Sequence, residues 1–237
     1  MPGHRPTSSA DARPGAGPWR AGLDPTHQPF PAEALEATVA ARFLATAAAF
    51  AEADALHSPA GTWTFAELRS DAAAIAAEVG HGEPGDPQPV AILADHDGPL
   101  VVAMLATLLA EQVVVVLDPA APDALRDHVL AECGATVLVH DDVHAEAAEA
   151  IATAKGLRTV RLRRDGDAAT LPWALHGGPD DAIMLAFTSG TSGLPKGGTI
   201  TNRVLLNTIR GATDALGIGP ADRMPMLFPV SLAVQYF

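Results

Sequence analysis

Ile183-Met-Leu-Ala-Phe187 runs without a break into Thr188-Ser-Gly-Thr-Ser-Gly-Leu-Pro-Lys-Gly197. Five apolar residues are the length of a buried strand, and the ten that follow have a loop composition: three glycines, two serines, two threonines and one lysine. Gly190 and Gly193 admit backbone conformations closed to other residues and leave room for an anion. Successive backbone N–H groups in such a loop converge on oxyanions. Thr188, Ser189, Thr191 and Ser192 add hydroxyl donors, Lys196 adds a full positive charge, and Pro195 stiffens the exit before Gly197. A strand that empties into this combination predicts a phosphate-binding loop at the end of a sheet.

Two other phosphate loops are excluded by position. In the pattern GxxxxGK[ST], Gly190 and Lys196 have the required separation. However, Pro195 stands where the second glycine belongs, and Gly197 where the magnesium-binding hydroxyl belongs. The dinucleotide pattern GxGxxG follows no strand here. An ordinary solvated Gly/Ser/Thr loop leaves both the buried strand before it and the Pro-Lys-Gly ending without a reason.

Working upstream, hydrophobic periodicity alternates between helix and strand. Helices are expected over 32–53, where Val39, Phe43, Ala47 and Phe50 share a face, and over 65–79, where Leu68, Ala72, Ile75 and Val79 form a stripe. Further helices are expected over 100–110, 122–133 and 143–155. Short apolar strands are expected over 90–93, 113–117, 136–139, 157–162 and 183–187, with a turn or short strand at 62–64 and a loop over 163–179. Downstream of the glycine-rich loop, a helix over 202–216, a strand over 224–228 and a helix starting near Leu232 complete the pattern. Strands separated by helices of this length imply an α/β fold, with helices layered around a mainly parallel sheet. The stretch 99–117 is apolar over 19 residues, long enough to span a bilayer. Glu111 and Gln112 interrupt it, and its texture changes from helix-forming to β-branched, so a buried helix running into a buried strand is the expectation.

The first 31 residues, rich in Pro, Gly, Ser and Ala, are expected to form a disordered leader. Residues 32–237 are expected to form one partial domain, and the end at Phe237 inside an element suggests a chain cut short. With 15 basic and 28 acidic residues the formal charge is −13. A surface this acidic repels nucleic acid and anionic membrane, so neither is an expected partner. A 48% hydrophobic content supplies a real core, built from Ala, Val and Leu because aromatics are 5%. The single cysteine, Cys133, excludes an internal disulfide, and no signal peptide is evident; both suit the cytoplasm. Cys133 reads as a small structural residue.

TSGTSGLPKG resembles the signature of the adenylate-forming (AMP-binding) superfamily, which holds acyl-CoA synthetases, luciferases and the adenylation domains of nonribosomal peptide synthetases. The usual form is TSGTTGxPKG, and Ser192 departs from it while keeping a hydroxyl. Further upstream, Thr62-Trp-Thr-Phe-Ala-Glu-Leu68 is similar to the family's TYxEL segment. Pro84-Gly-Asp86 with Val90-Ala-Ile-Leu93 is similar to GDxVAI, and Leu109–Pro119 (LAEQVVVVLDP) to LKAGxxYVPLDP, with Glu111 in place of the glycine. Residues 122–139 follow PxxRLxxxLxxxxAxxLL loosely. The resemblance implies the front part of the large N-terminal domain of an ATP-dependent ligase. A carboxylate attacks the α-phosphate of Mg-ATP, giving an acyl-adenylate and pyrophosphate; the thiol of coenzyme A or of a carrier protein's phosphopantetheine then takes the acyl group. Thr188, Ser189, Gly190, Thr191, Ser192, Gly193, Lys196 and Gly197 would hold the β- and γ-phosphates. ATP and Mg2+ are the implied cofactors.

In the family the adenine pocket, the ribose-binding aspartate, the magnesium-binding glutamate and the catalytic lysine lie well after this loop. Only 40 residues follow Gly197, without a match to those motifs. The resemblance therefore implies a fragment with no catalytic residue and no metal ligand of its own. The alternative is a non-catalytic remnant or accessory module of the same fold. Amino-acid-activating relatives often carry FDxS where this chain has Phe228-Pro-Val-Ser-Leu232, and the missing aspartate disfavours an α-amino acid. Three other polar groups are expected to be ordinary. His140-Asp-Asp-Val-His144 has metal-pair spacing but begins a loop or helix, Asp95-His96-Asp97 suits a helix cap before Leu100, and Arg161, Arg163 and Arg164 suit a solvated loop.

Overall fold

The computed structural model describes residues 30–83, 85–164, 170–188, 195–220 and 222–226. After a 3-10 turn at Ala32–Glu36 come α1 (Val39–Ala49), the hairpin β1 (Asp54–Ser58) and β2 (Gly61–Thr64), and α2 (Phe65–Val79). Next are β3 (Pro89–Leu93), α3 (Gly98–Leu109), β4 (Val113–Leu117), α4 (Asp123–Cys133), β5 (Val137–His140), α5 (Ala145–Lys155) and β6 (Arg158–Arg161). The chain then forms β7 (Ala182–Thr188), β8 (Lys196–Thr201) and α6 (Asn202–Leu216). The main sheet has the order β6-β5-β3-β4-β7-β8. Every pair is parallel except β7–β8, which is antiparallel. The expected α/β architecture with a mainly parallel sheet is therefore present.

The β-branched runs sit where both faces are covered. Period-two alternation divides the strand residues between two cores. Val90, Ile92, Val114, Val137, Val139 and Val160 face α1, α2 and α3. Ala91, Leu93, Val115, Leu117 and Leu138 face Val129 and Leu130 of α4 and Ala148 of α5. Leu185 and Phe187 of β7 pack on this second face too. Alanine is common because helices lie close on the sheet: Ala72, Ala76, Ala103, Ala106 and Ala148 are all fully buried.

Local signals set the element ends. The Thr64 hydroxyl accepts from Glu67 N and the Glu67 carboxylate accepts from Thr64 N, a capping box that starts α2 where periodicity placed it. Asp97 caps α3, accepting from Gly98 N at 2.6 Å, as expected of the Asp95–Asp97 segment. Gly134 and Gly156 end α4 and α5 in the left-handed conformation that favours glycine.

Four elements differ from expectation. The helix expected over 32–53 is split, because Thr38 caps α1 through Ala41 N at 3.0 Å while Val39 N is taken by Asn202 Oδ1 at 2.8 Å, a partner distant in sequence. β1 lacks clean alternation and forms only because β2 pairs with it. β8 begins at Lys196, inside the expected loop. Residues 224–226 form no strand, and the rest of that expected strand and the helix near Leu232 lie outside the described residues. The apolar stretch 99–117 is α3 plus β4, and among the described residues no helix is long and apolar enough to cross a membrane. Residues 1–29 of the expected leader also lie outside the description. Phe30 is buried on Ala34 and Leu206, with its N–H on Asp214 Oδ1 at 2.9 Å and the Arg42 guanidinium 4.3 Å from its ring centre.

One contact predicts a stability effect. Trp63 is buried and donates from Nε1 to Asp71 Oδ2 at 2.9 Å, so its ring is held in place. A Cβ on Gly98 would lie 2.5 Å from Trp63 Cζ3 and 2.7 Å from Ser58 Oγ. Gly98→Ala should therefore lower stability by about 2 kcal/mol, the usual scale of core overpacking, measured as a drop in the urea midpoint at unchanged slope.

Candidate functional site: the carboxyl edge of the parallel strands

β7 pairs in parallel with β4 through Val114 and Met184, and β4 in parallel with β3. Thr188 therefore emerges at the same edge of the sheet as Leu117-Asp118 and Leu93-Ala94. In open α/β sheets this carboxyl edge is where ligands bind. The returning strand β8 pairs Thr188 with Lys196, Phe187 with Gly197 and Ala186 with Gly198. The first and ninth residues of the glycine-rich motif thus face each other across the hairpin stem. Ser189, Gly190, Thr191, Ser192, Gly193 and Leu194 lie outside the described residues, as does the side chain of Thr188. Gly197 is exposed and lies over the Phe187 ring, where a Cβ would come within 3.2 Å of Cζ.

Lys196 is exposed and makes no ion pair among the described residues. Most other described cations are engaged, among them Lys155 with Asp127 at 2.8 Å, Arg161 with Asp142 at 2.5 Å, and Arg203 with Glu36 at 2.7 Å and Asp180 at 2.8 Å. Asp180 and Glu36 hold the Arg203 guanidinium well above its ordinary pKa. An exposed lysine with no ion pair among the described residues, on a chain of net charge −13, is suited to an incoming anion.

Two neighbouring groups brace this edge, and neither was evident in the sequence. Arg126 on α4 donates to the Pro119 carbonyl at 2.7 Å and the Ala121 carbonyl at 2.6 Å, and pairs with Asp123. It closes the turn after β4, where Asp118 Oδ1 also accepts from Ala120 N at 2.9 Å. His128 on the same helix contacts the Pro195 carbonyl through Nε2 at 2.9 Å.

Glu111 braces the approach to β7 from the other end of the sheet. It has φ 55°, the one positive value for a non-glycine among the described residues, which explains why the family pattern has glycine there. Its Oε1 accepts from His176 N at 2.7 Å and Gly177 N at 2.5 Å, and its Oε2 contacts His81 Nε2 at 2.8 Å. His81 stacks on Trp173, which donates to the Leu109 carbonyl at 3.0 Å. Burial alone would raise the Glu111 pKa. The Gly177 and His176 amides and His81 outweigh it and hold the carboxyl below its ordinary range. This network straps residues 173–177 to the α3–β4 turn, and a cavity of about 50 Å3 lies beside it. The one available signal was the glutamate at a glycine position.

The remaining polar candidates have structural partners. His140 and His144 do not converge: His140 is buried with Nδ1 on the Asp141 carbonyl. Asp95, Asp141 and His144 do approach one another. Both Asp141 oxygens accept backbone N–H groups, from Asp95 and His144 at 2.9 Å, and His144 Nε2 sits 2.7 Å from Asp95 Oδ1. The arginine run is not a free loop. Arg161 lies in β6 on Asp142, Arg163 pairs with Glu78, and Arg164 covers the Trp63 ring at 4.0 Å. Cys133 Sγ lies 3.6 Å from the Leu130 carbonyl, and burial pushes its thiol pKa up. Phe228–Leu232 lie outside the described residues.

The sequence profile of the family described as AMP-binding enzyme matches residues 43–237. Phenyloxazoline synthase MbtB of Mycobacterium sp. (strain MCS) is 32% identical over 184 residues, covering 76% of this chain and 15% of that protein. The fold is similar to that of the nonribosomal peptide synthetase FmoA3 in its AMPPNP-bound form, with a TM-score of 0.74 at 22% identity over 90% of this chain and 22% of that one. It is also similar to VinN in complex with L-aspartate, with a TM-score of 0.70 at 20% identity over 83% of this chain and 52% of that one. The chain thus spans a minor part of MbtB and FmoA3 and about half of VinN.

Proposed function

The chain belongs to the AMP-binding enzyme family, and we propose that it is the front part of the large domain of an ATP-dependent ligase that activates a carboxylic acid. In this reading the acid's carboxylate oxygen attacks the α-phosphorus of ATP, the α–β bridging bond breaks, and pyrophosphate leaves. The acyl-adenylate then passes its acyl group to a thiol, of coenzyme A or a carrier protein. The chain's part is to hold the β- and γ-phosphates in the loop Thr188–Gly197, with Ser189, Gly190, Thr191, Ser192 and Gly193 as the cradle and Lys196 as the counter-charge. Mg2+ arrives bound to ATP.

The observation that carries this is the stem geometry: Lys196, exposed and unpaired among the described residues, stands opposite Thr188 at the carboxyl edge of a parallel sheet. Binding the leaving pyrophosphate here lowers the barrier by positioning and charge stabilisation, with no nucleophile from the protein. The likeness to FmoA3 in its AMPPNP-bound form supports the same nucleotide chemistry.

Acid-dependent exchange of pyrophosphate into ATP by the complete gene product tests the reading. Exchange with at least one acid of a broad panel is expected. Polyphosphate binding without exchange for any acid would leave the non-catalytic module of the same fold as the better description.

A further inference from the structure

We propose that His128 is a positioning residue of the phosphate loop, holding the peptide that precedes Lys196. The proposal rests on the phosphate-binding reading of that loop.

The hairpin ladder ends at the pair Thr188 and Lys196, so Pro195 lies one residue past it. Proline has no N–H, which leaves its carbonyl as the one backbone group able to tie this residue down. That carbonyl accepts from His128 Nε2 at 2.9 Å. A carbonyl only accepts, so Nε2 is the ring nitrogen that carries the proton. The Pro195–Lys196 peptide is planar and trans. Fixing its C=O toward α4 therefore sends the Lys196 N–H to the side away from α4. One side-chain hydrogen bond thus orients both the amide and the Cα of the lysine that meets the phosphates.

The anchor is itself rigid. Arg126, two residues earlier, grips the turn after β4. Asp127 pairs with Lys155 of α5 at 2.8 Å, and Val129 and Leu130 are buried under the sheet. His128 is therefore presented by a helix fixed on both flanks.

The test compares His128→Leu, His128→Asn and His128→Gln with the wild-type chain by two readouts: the dissociation constant for inorganic tripolyphosphate and hydrogen exchange of the amides of 196–198. Leucine removes the donor, asparagine is too short to reach, and glutamine carries an amide N–H near the position of Nε2. Loss of one such bond should weaken binding about five-fold and speed exchange at 196–198 in the leucine and asparagine variants. Glutamine should restore both, a rescue that a merely space-filling role would not produce. Wild-type affinity and exchange in the leucine and asparagine variants would overturn the tether and leave phosphate binding intact. Tripolyphosphate that fails to bind the wild type at all would remove the phosphate reading, and the positioning role with it.

Discussion

Lys196→Ala should weaken the binding of Mg-ATP and of inorganic tripolyphosphate about thirty-fold, the loss expected for one charge-assisted contact to phosphate. The size follows from the surroundings. The chain carries 28 acidic against 15 basic residues, so the overall field opposes an anionic ligand and local charge has to overcome it. Among the described residues most arginines are engaged with Asp, Glu or backbone carbonyls, while Lys196 has no ion pair. Arg161→Ala is the control. It removes one positive charge from a residue bound to Asp142 on β6, at the sheet edge opposite β8, and should leave affinity nearly unchanged. Isothermal calorimetry at two salt concentrations reads both, and the gap between the variants should shrink as salt rises. Equal losses from the two substitutions would mean that Lys196 acts through net charge alone.

Glu111→Ala should cost about 3 kcal/mol of folding stability. The substitution leaves the His176 and Gly177 amides without their carboxylate and keeps a side chain at a positive φ. Glu111→Gly loses the same acceptor but relieves the backbone, and should recover about 1 kcal/mol of that loss. The ordering wild type, then glycine, then alanine in urea midpoint tests the explanation, and alanine more stable than glycine would contradict it. Acid should reproduce part of the effect. The Glu111 carboxyl titrates below its ordinary value in the folded chain, so its stabilisation is fully present above the ordinary carboxylate range. It is lost as pH falls through the lower folded value. The stability difference between wild type and Glu111→Gln should therefore be constant near neutral pH and close under acid.

Much of the architecture was legible because its causes are local. α2 and α6 begin and end where periodicity and caps place them, Thr64 and Glu67 being a signal visible in four residues. Val113–Leu117 is so strongly β-branched that no other element suits it. What escaped depended on distant partners. The break at Thr38 exists because Asn202 supplies an acceptor for Val39 N. β8 looked like the tail of a loop because Lys196, Gly197 and Gly198 are poor strand formers, and β7 is what makes them a strand. The β-branched Thr199-Ile-Thr201 was the available hint. Around the proposed site, the motif pointed to the loop and its lysine, but nothing local announced Arg126 or His128. Each acts by reaching a backbone carbonyl from a helix face, and any exposed polar residue there reads the same in sequence. Glu111 was visible as a departure from glycine, and its compensation lies in residues 173–177, far along the chain.

Phosphorus NMR of Mg-ATP titrated with the chain tests directly whether the loop that runs to Lys196 grips the outer phosphates of ATP. The β and γ resonances should shift and broaden more than the α resonance, and Lys196→Ala should abolish most of that difference. Perturbation confined to the α-phosphate, or β and γ effects that survive Lys196→Ala unchanged, would contradict that grip.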